Sequence, residues 1–263
     1  MKKTYLIDLD GTMYRGSQII EGAKEFIDAL LKNNESFVFL TNNAKRTKRQ
    51  NVEHMERMGF TGIREDHFFT SSMAAARYAA AHYEGRNAWY IGQDGLKEAL
   101  MDAGFTIAEE NVDLVFVGLD TEGTYNKYSK ALDFLLHGAK LIGTNNDRLL
   151  AQPGGFAVGN GSIVAMFEYA TGQASPKIGK PHAPILEEAL KYFQLRREDA
   201  VILGDNLETD ILLGVENHVD TIFVTSGVHQ REDVEKLNIH PTQTIDDLRE
   251  LIQINKLCEN VLD

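Results

Sequence analysis

The sequence of 263 residues has a single cysteine, Cys258, so it can form no internal disulfide and no cysteine-built zinc site. One cysteine fits a reducing compartment, and a cytoplasmic protein is expected. Basic charge is in deficit. Lys and Arg total 27 against 39 Asp and Glu, a formal net charge of -12. That argues against a broad nucleic-acid footprint or an acidic membrane surface as partner, since both need a basic face. A local site can still override the global field, so an anionic small molecule stays open. No apolar run is long enough to cross a membrane. The apolar stretch behind Lys2-Lys3 is short and is interrupted by Asp8 and Asp10, unlike a secretory signal. Low-complexity tracts and repeats at solenoid spacing are lacking.

What is present is ordinary for a globular chain: 43% hydrophobic and 25% charged residues, enough for one large domain or two modest ones. Strand-like runs alternate with helix-like segments, which predicts an α/β protein with mostly parallel sheets. Buried strands are expected in TYLIDLD (4–10), SFVFLTNN (36–43) and DHFFTSS (66–72). Helical periodicity marks 23–34, with Phe26, Leu30 and Leu31 on one side, and 46–59, which stops at Gly59. Ser71 or Ser72 is the expected cap of the Ala-rich helix that follows.

The pattern then restarts. Strands are expected at 87–92, 112–120, 139–147 and 156–162, with two helices between the earlier ones. After GQASPKIGKPH (172–182) come a helix with Pro184 in its first turn, a strand at 200–206, a helix at 208–217, a strand at 219–227 and a closing helix at 245–257. The expected layout is a doubly wound core built from residues 1–81 and 177–263. A separate α/β domain, residues 82–176, is inserted in it.

The chemistry-bearing residues gather at predicted strand ends. In a strand, positions i and i+2 share a face, so Asp8 and Asp10 aim the same way and Leu9 turns into the core. Ligands of open α/β sheets bind at the carboxyl ends of strands. Two carboxylates this close are tolerable if a cation neutralises them or one stays protonated, and their hard oxygens suit magnesium. Thr41, Asn42 and Asn43 end the second strand with a hydroxyl, amides and main-chain N–H groups for an anion. Asp205 ends a late strand and is placed to complete a metal site. Asp210, with Asn206, is placed to orient that site from behind. Lys180 supplies a compact positive charge, beside Gly179 and the stiff Pro181.

One aspartate pair is a weak signal, but DLDGT, LTNN, GKPH and GDNLETD in this order are a strong one. Together they resemble the four motifs of the haloacid dehalogenase (HAD) superfamily. TNNAKRT and GKPH, with a large insertion between them, resemble its NagD-like or p-nitrophenylphosphatase branch. The resemblance implies a magnesium-dependent phosphatase acting on small phosphate monoesters through an aspartyl-phosphate. It makes Asp8 the nucleophile and Asp10 the acid and base. Magnesium would sit on the Asp8 carboxylate, the Asp10 backbone carbonyl and Asp205. Thr41, Asn42 and Lys180 would hold the phosphoryl oxygens, with Asn43 adjacent. It also makes the insertion a cap that reads the leaving group, with Asn145, Asn146 and Asp147 in the loop 143–156 as the best contacts.

Blander readings apply to several residues. Thr41 and Asn42 could cap a helix, and Asp210 could serve a helix dipole. Lys45, Arg46, Lys48 and Arg49 read as a solvated helix face, with enrichment of anionic substrates as the alternative. His182 reads as a helix-start residue, Tyr125 and Tyr128 as helix packing, and Cys258 as an inert residue of the last helix. VGNGSIV (158–164) lacks the third glycine of a dinucleotide fingerprint and reads as a loop-to-helix turn. A receiver-like signalling module shares the strand-end aspartate but not the insertion. A phosphotransferase or phosphomutase could use the same core.

Overall fold

The computed structural model describes residues 3–152 and 154–252, arranged as two compact units. The first comprises residues up to Thr41, Asn51–Phe68 and the chain from Leu190. Its sheet runs, from one edge, Gln243–Ile245, Asp220–Val224, Ala200–Gly204, Thr4–Ile7, Phe37–Thr41 and Phe68–Thr70. Registered neighbours are parallel, with Ile7 beside both Leu203 and Phe39. The N-terminal strand therefore lies inside the sheet, and later strands add on both sides of it. That is the doubly wound arrangement, in which the crevice at the reversal of strand order is the natural ligand site. Asp8, Thr41 and Asp205 stand at the carboxyl ends of the three adjacent strands at that reversal.

All four residues of Thr4–Ile7 are buried, as are all five of Phe37–Thr41 and of Ala200–Gly204. Such continuously apolar runs fit a sheet covered on both faces. The helix Ala23–Lys32 buries Phe26, Ile27 and Leu30, while Leu31 packs at the margin. Phe39, Phe60, Phe68, Leu203 and Val224 continue this core. Burying each such side chain contributes roughly 1.5–3 kcal/mol.

The second unit comprises Asn42–Gln50 and Phe69–Ala189. The expected insertion, 82–176, lies inside it, and the unit also takes in 42–50, 69–81 and 177–189. Its parallel sheet runs Thr106–Ile107, Asn87–Ile91, Leu114–Val117 and Lys140–Gly143. Ile91, Val115 and Leu141 meet Leu135 of the helix Tyr125–Leu136 and Phe167 of the helix Asn160–Thr171 in one core.

Several local expectations are corrected. The strand expected at 156–162 is Gly155–Val158, which pairs antiparallel with Leu149–Gln152. The helix Asn160–Thr171 starts where strand was expected, because Asn160 Nδ2 reaches back to the carbonyls of Val117 at 3.0 Å and Asn145 at 3.1 Å. The Ala-rich helix Ser71–His82 is capped by Thr70, whose hydroxyl accepts from Met73 N at 3.3 Å. Ser71 and Ser72 instead donate to the carbonyls of Asn42 and Ala44, tying down the loop after Thr41. Tyr125 is exposed rather than packed, whereas Tyr128 joins the core. The helix expected at 208–217 begins as a π-helical turn, Leu207–Ile211, before Leu212–Glu216. Gln243–Ile245 is a strand where the closing helix was to begin, and Cys258 lies outside the described residues.

Candidate active site

The first unit brings three carboxylates together. Asp8 directly follows Thr4–Ile7, Asp205 directly follows Ala200–Gly204, and Asp210 lies on the π-helical turn after it. One carboxylate oxygen from each lies within 4.8 Å of the other two, and all three residues are buried. Asp210 was expected behind the site, but it contributes to the cluster itself. Its Oδ2 also accepts from the main chain of Asn206 at 3.3 Å. The Asn206 side chain caps the turn by accepting from Glu208 N at 2.9 Å. Leu9 is buried as expected, and Asp10 is exposed, with its carboxylate outside the cluster.

The backbone is shaped around Asp205. Gly11 has φ +103°, and a Cβ there would overlap the Asp205 carboxylate. A Cβ on Gly227 would overlap it as well. Thr12, fully buried, donates to Asp205 Oδ1 at 3.0 Å, and Val228 N donates to Oδ2 at 2.7 Å. Arg15 in turn donates to the carbonyls of Ser226 and Gly227, and Ser226 Oγ donates to the carbonyl of Gly11 at 3.1 Å. Burial and the neighbouring Asp8 charge push the Asp205 carboxyl up to about 6, against the pull of Val228 and Thr12.

Neutral hydrogen bonds cannot discharge three clustered acids. A bound cation would, and the all-oxygen donor set suits a hard divalent ion such as magnesium. The residues present therefore fit a metal held by Asp8, Asp205 and Asp210. Thr12 and the main chain of Val228, the donors to Asp205, were not singled out from the sequence. A buried threonine beside a buried aspartate is recognisable only once the two strand ends are neighbours.

Thr41, 2% exposed, closes its strand in the same unit. The second unit joins Asn42 to Lys180. Asn42 Oδ1 accepts from Lys180 N at 2.8 Å, and Asn42 Nδ2 donates to Lys180 O at 3.1 Å and to Asp147 Oδ1 at 3.0 Å. The Asn42 side chain is thus committed to holding the Lys180 turn. Asn145 Nδ2 donates to Asn42 O at 2.9 Å, and Gly179 has no room for a Cβ beside Asn145. Lys180 itself is 3% exposed. Burial pushes the Asp147 carboxyl up, against the pull of Asn42 and Lys180. Asn43 Oδ1 accepts from Lys45 N at 3.2 Å, shaping the next turn. His182 N donates to Gly179 O just before the helix Ala183–Phe193, as a helix-start residue would.

Comparison with known proteins gives a consistent picture. A family model described as haloacid dehalogenase-like hydrolase matches residues 5–106, and a related HAD-hydrolase-like model matches 177–251. An acid sugar phosphatase of Staphylococcus saprophyticus is 38% identical over 95% of this chain and 97% of its own. The 5'-nucleotidase YutF of Bacillus subtilis is 36% identical over 95% of this chain and 97% of its own. Among solved structures, a 4-nitrophenylphosphatase from Thermotoga maritima superposes with a TM-score of 0.88 at 30% identity, covering 96% of this chain and 97% of that one.

Proposed function

The chain belongs to the haloacid dehalogenase-like hydrolases, as a phosphatase of their NagD-like or p-nitrophenylphosphatase branch, and from that premise we propose magnesium-dependent hydrolysis of small phosphate monoesters through an aspartyl-phosphate. The observation that carries this reading is the buried Asp8–Asp205–Asp210 cluster at the reversal of strand order. Asp8 is the nucleophile. One of its carboxylate oxygens bonds to phosphorus as the ester bond to the leaving oxygen breaks. Asp10 gives its proton to that leaving oxygen, then takes one from the water that cleaves the acyl phosphate. The exposure of Asp10 suits a group that exchanges protons with substrate and solvent. When bound, magnesium supplies the positive charge that lets a phosphate approach carboxylates. Thr41, Asn42 and Lys180 hold the phosphoryl oxygens, with Asn43 adjacent. The interlocked Asn42–Lys180 backbone supports that assignment, because positioning dominates phosphoryl transfer. The insertion, about 82–176, is the cap that reads the leaving group.

Steady-state hydrolysis of p-nitrophenyl phosphate, with magnesium and with EDTA, tests the proposal. Wild-type protein should turn over repeatedly in magnesium and stop in EDTA, and Asp8→Asn should be inactive in both. Metal-independent turnover, or turnover by Asp8→Asn, would overturn it.

A further inference from the structure

The segment 226–229 follows the strand Asp220–Val224 in the first unit and ends in a histidine that the catalytic reading does not use. Ser226 Oγ reaches the Gly11 carbonyl, and Val228 N reaches the Asp205 carboxylate. His229 extends the same segment to the turn that carries Asp210. Its main-chain N donates to Asp205 O at 3.4 Å, and its ring Nδ1 accepts from Leu207 N at 3.1 Å. A main-chain N–H can only donate, so Nδ1 presents its lone pair there. Nε2 then carries the proton and faces Glu208 Oε2 at 3.6 Å. The His229 side chain is 13% exposed.

Leu207 opens the π-helical turn, and the first N–H groups of a helical turn lack partners within it. Here three in a row are met by side chains. Asn206 N donates to Asp210 Oδ2 at 3.3 Å, Leu207 N to His229, and Glu208 N to Asn206 Oδ1 at 2.9 Å. Of the three acceptors, His229 alone comes from a different part of the chain. Leu207 is fully buried, so water cannot take the place of the imidazole nitrogen. A buried donor left without an acceptor is costly, and the turn would move to relieve it.

That movement would be felt at the acids. A Cβ on Gly204 would overlap the Asp210 carboxylate, so Asp210 is packed closely on the strand end. Asp210 also bonds Asn206 N, the amide next to the one that His229 holds. Magnesium demands near-octahedral geometry, so a small displacement of one carboxylate lowers affinity.

We infer that His229 is a positioning residue for the acid cluster. Its Nδ1 fixes the start of the π-helical turn, and so sets Asp210 beside Asp205 for a divalent cation. The inference rests on the magnesium reading of the site and adds a residue to it.

The test is calorimetric titration of the metal-free full chain with magnesium, in wild type, His229→Asn and His229→Leu. Asn offers an amide oxygen near the place of Nδ1, and Leu offers no acceptor. His229→Leu should bind magnesium roughly 10-fold more weakly or worse, and His229→Asn should recover most of the loss. In turnover, His229→Leu should raise the magnesium needed for half-maximal rate more than it lowers kcat. Unchanged affinity in His229→Leu would overturn the inference, as would equal losses in the two variants. Amide exchange at Leu207 reads the bond without metal. It should be slow in wild type and His229→Asn and faster in His229→Leu; equal rates contradict the inference. Arg15→Met leaves His229 in place and frees the carbonyls of Ser226 and Gly227 from an exposed side chain. It should speed Leu207 exchange and weaken magnesium several-fold, and no change in either would also contradict the inference. Magnesium binding that depends on His229, in a protein that hydrolyses no phosphate ester, would count against the phosphatase reading alone.

Discussion

At the scale of the residue, the site rests on how three acids share a buried space. Asp205 carries the clearest signature, a carboxyl pushed up to about 6 by burial and by Asp8. Its ordinary value is 3.8, so between those two values the folded protein binds more protons than the unfolded chain. The sign follows: without metal, stability falls as pH rises from about 4 to about 6, and it is regained on acidification through that window. Thermal melts in EDTA across this range should show that slope, and Asp205→Asn should flatten it. Thr12 works in the same place. Thr12→Val removes the donor to Asp205 Oδ1, leaves Val228 N on Oδ2, and should push that carboxyl higher still. It should cost about 1–3 kcal/mol of stability in urea titrations, the usual penalty for a buried acceptor losing its partner. Asp10→Asn should lower kcat on alkyl phosphates by roughly 10²–10⁴-fold, the usual worth of a general acid. Near-normal rates would remove Asp10 from that role.

At the scale of the element, strand ends and the turns after them position the chemistry. Asn42 shows how. Its side chain bonds both main-chain atoms of Lys180 and the Asp147 carboxylate, so one amide sets the Lys180 turn and the loop after Gly143. Asn42→Ala should therefore lower kcat/KM for every substrate alike and destabilise the fold by about 1–3 kcal/mol. A change confined to one substrate would contradict that role. The strand-end places of Asp8, Thr41 and Asp205 were legible in the sequence because each ends an apolar run. The sequence alone separated Asp210 from the acid cluster, because the π-helical turn Leu207–Ile211 leaves no signature in spacing. Thr70 displaced Ser71 and Ser72 as cap, since those hydroxyls had better partners in the loop after Thr41. Lys45 and Arg46 looked like a helix face, but the helix begins only at Lys48, because helical periodicity cannot report that Gly95 packs against their main chain.

At the scale of the whole molecule, a chain of net charge -12 must attract a negative substrate. It can do so only through local positive charge, which the proposal assigns to Lys180 and to magnesium on the acid cluster. Magnesium should therefore stabilise the protein by mass action, by about 2.7 kcal/mol at 100 times its dissociation constant. The melting-temperature gain should be larger at pH 7 than at pH 5, where protons compete for Asp205. An equal gain at both pH values would place the ion elsewhere. The central claim is the covalent one, and rapid acid quenching of the magnesium-loaded protein during turnover of a small phosphate ester, followed by peptide mapping, tests it most directly. Phosphate on Asp8, formed and lost at rates that account for turnover, is the predicted result. Full turnover with no label on Asp8, or with the label on another residue, would contradict the account.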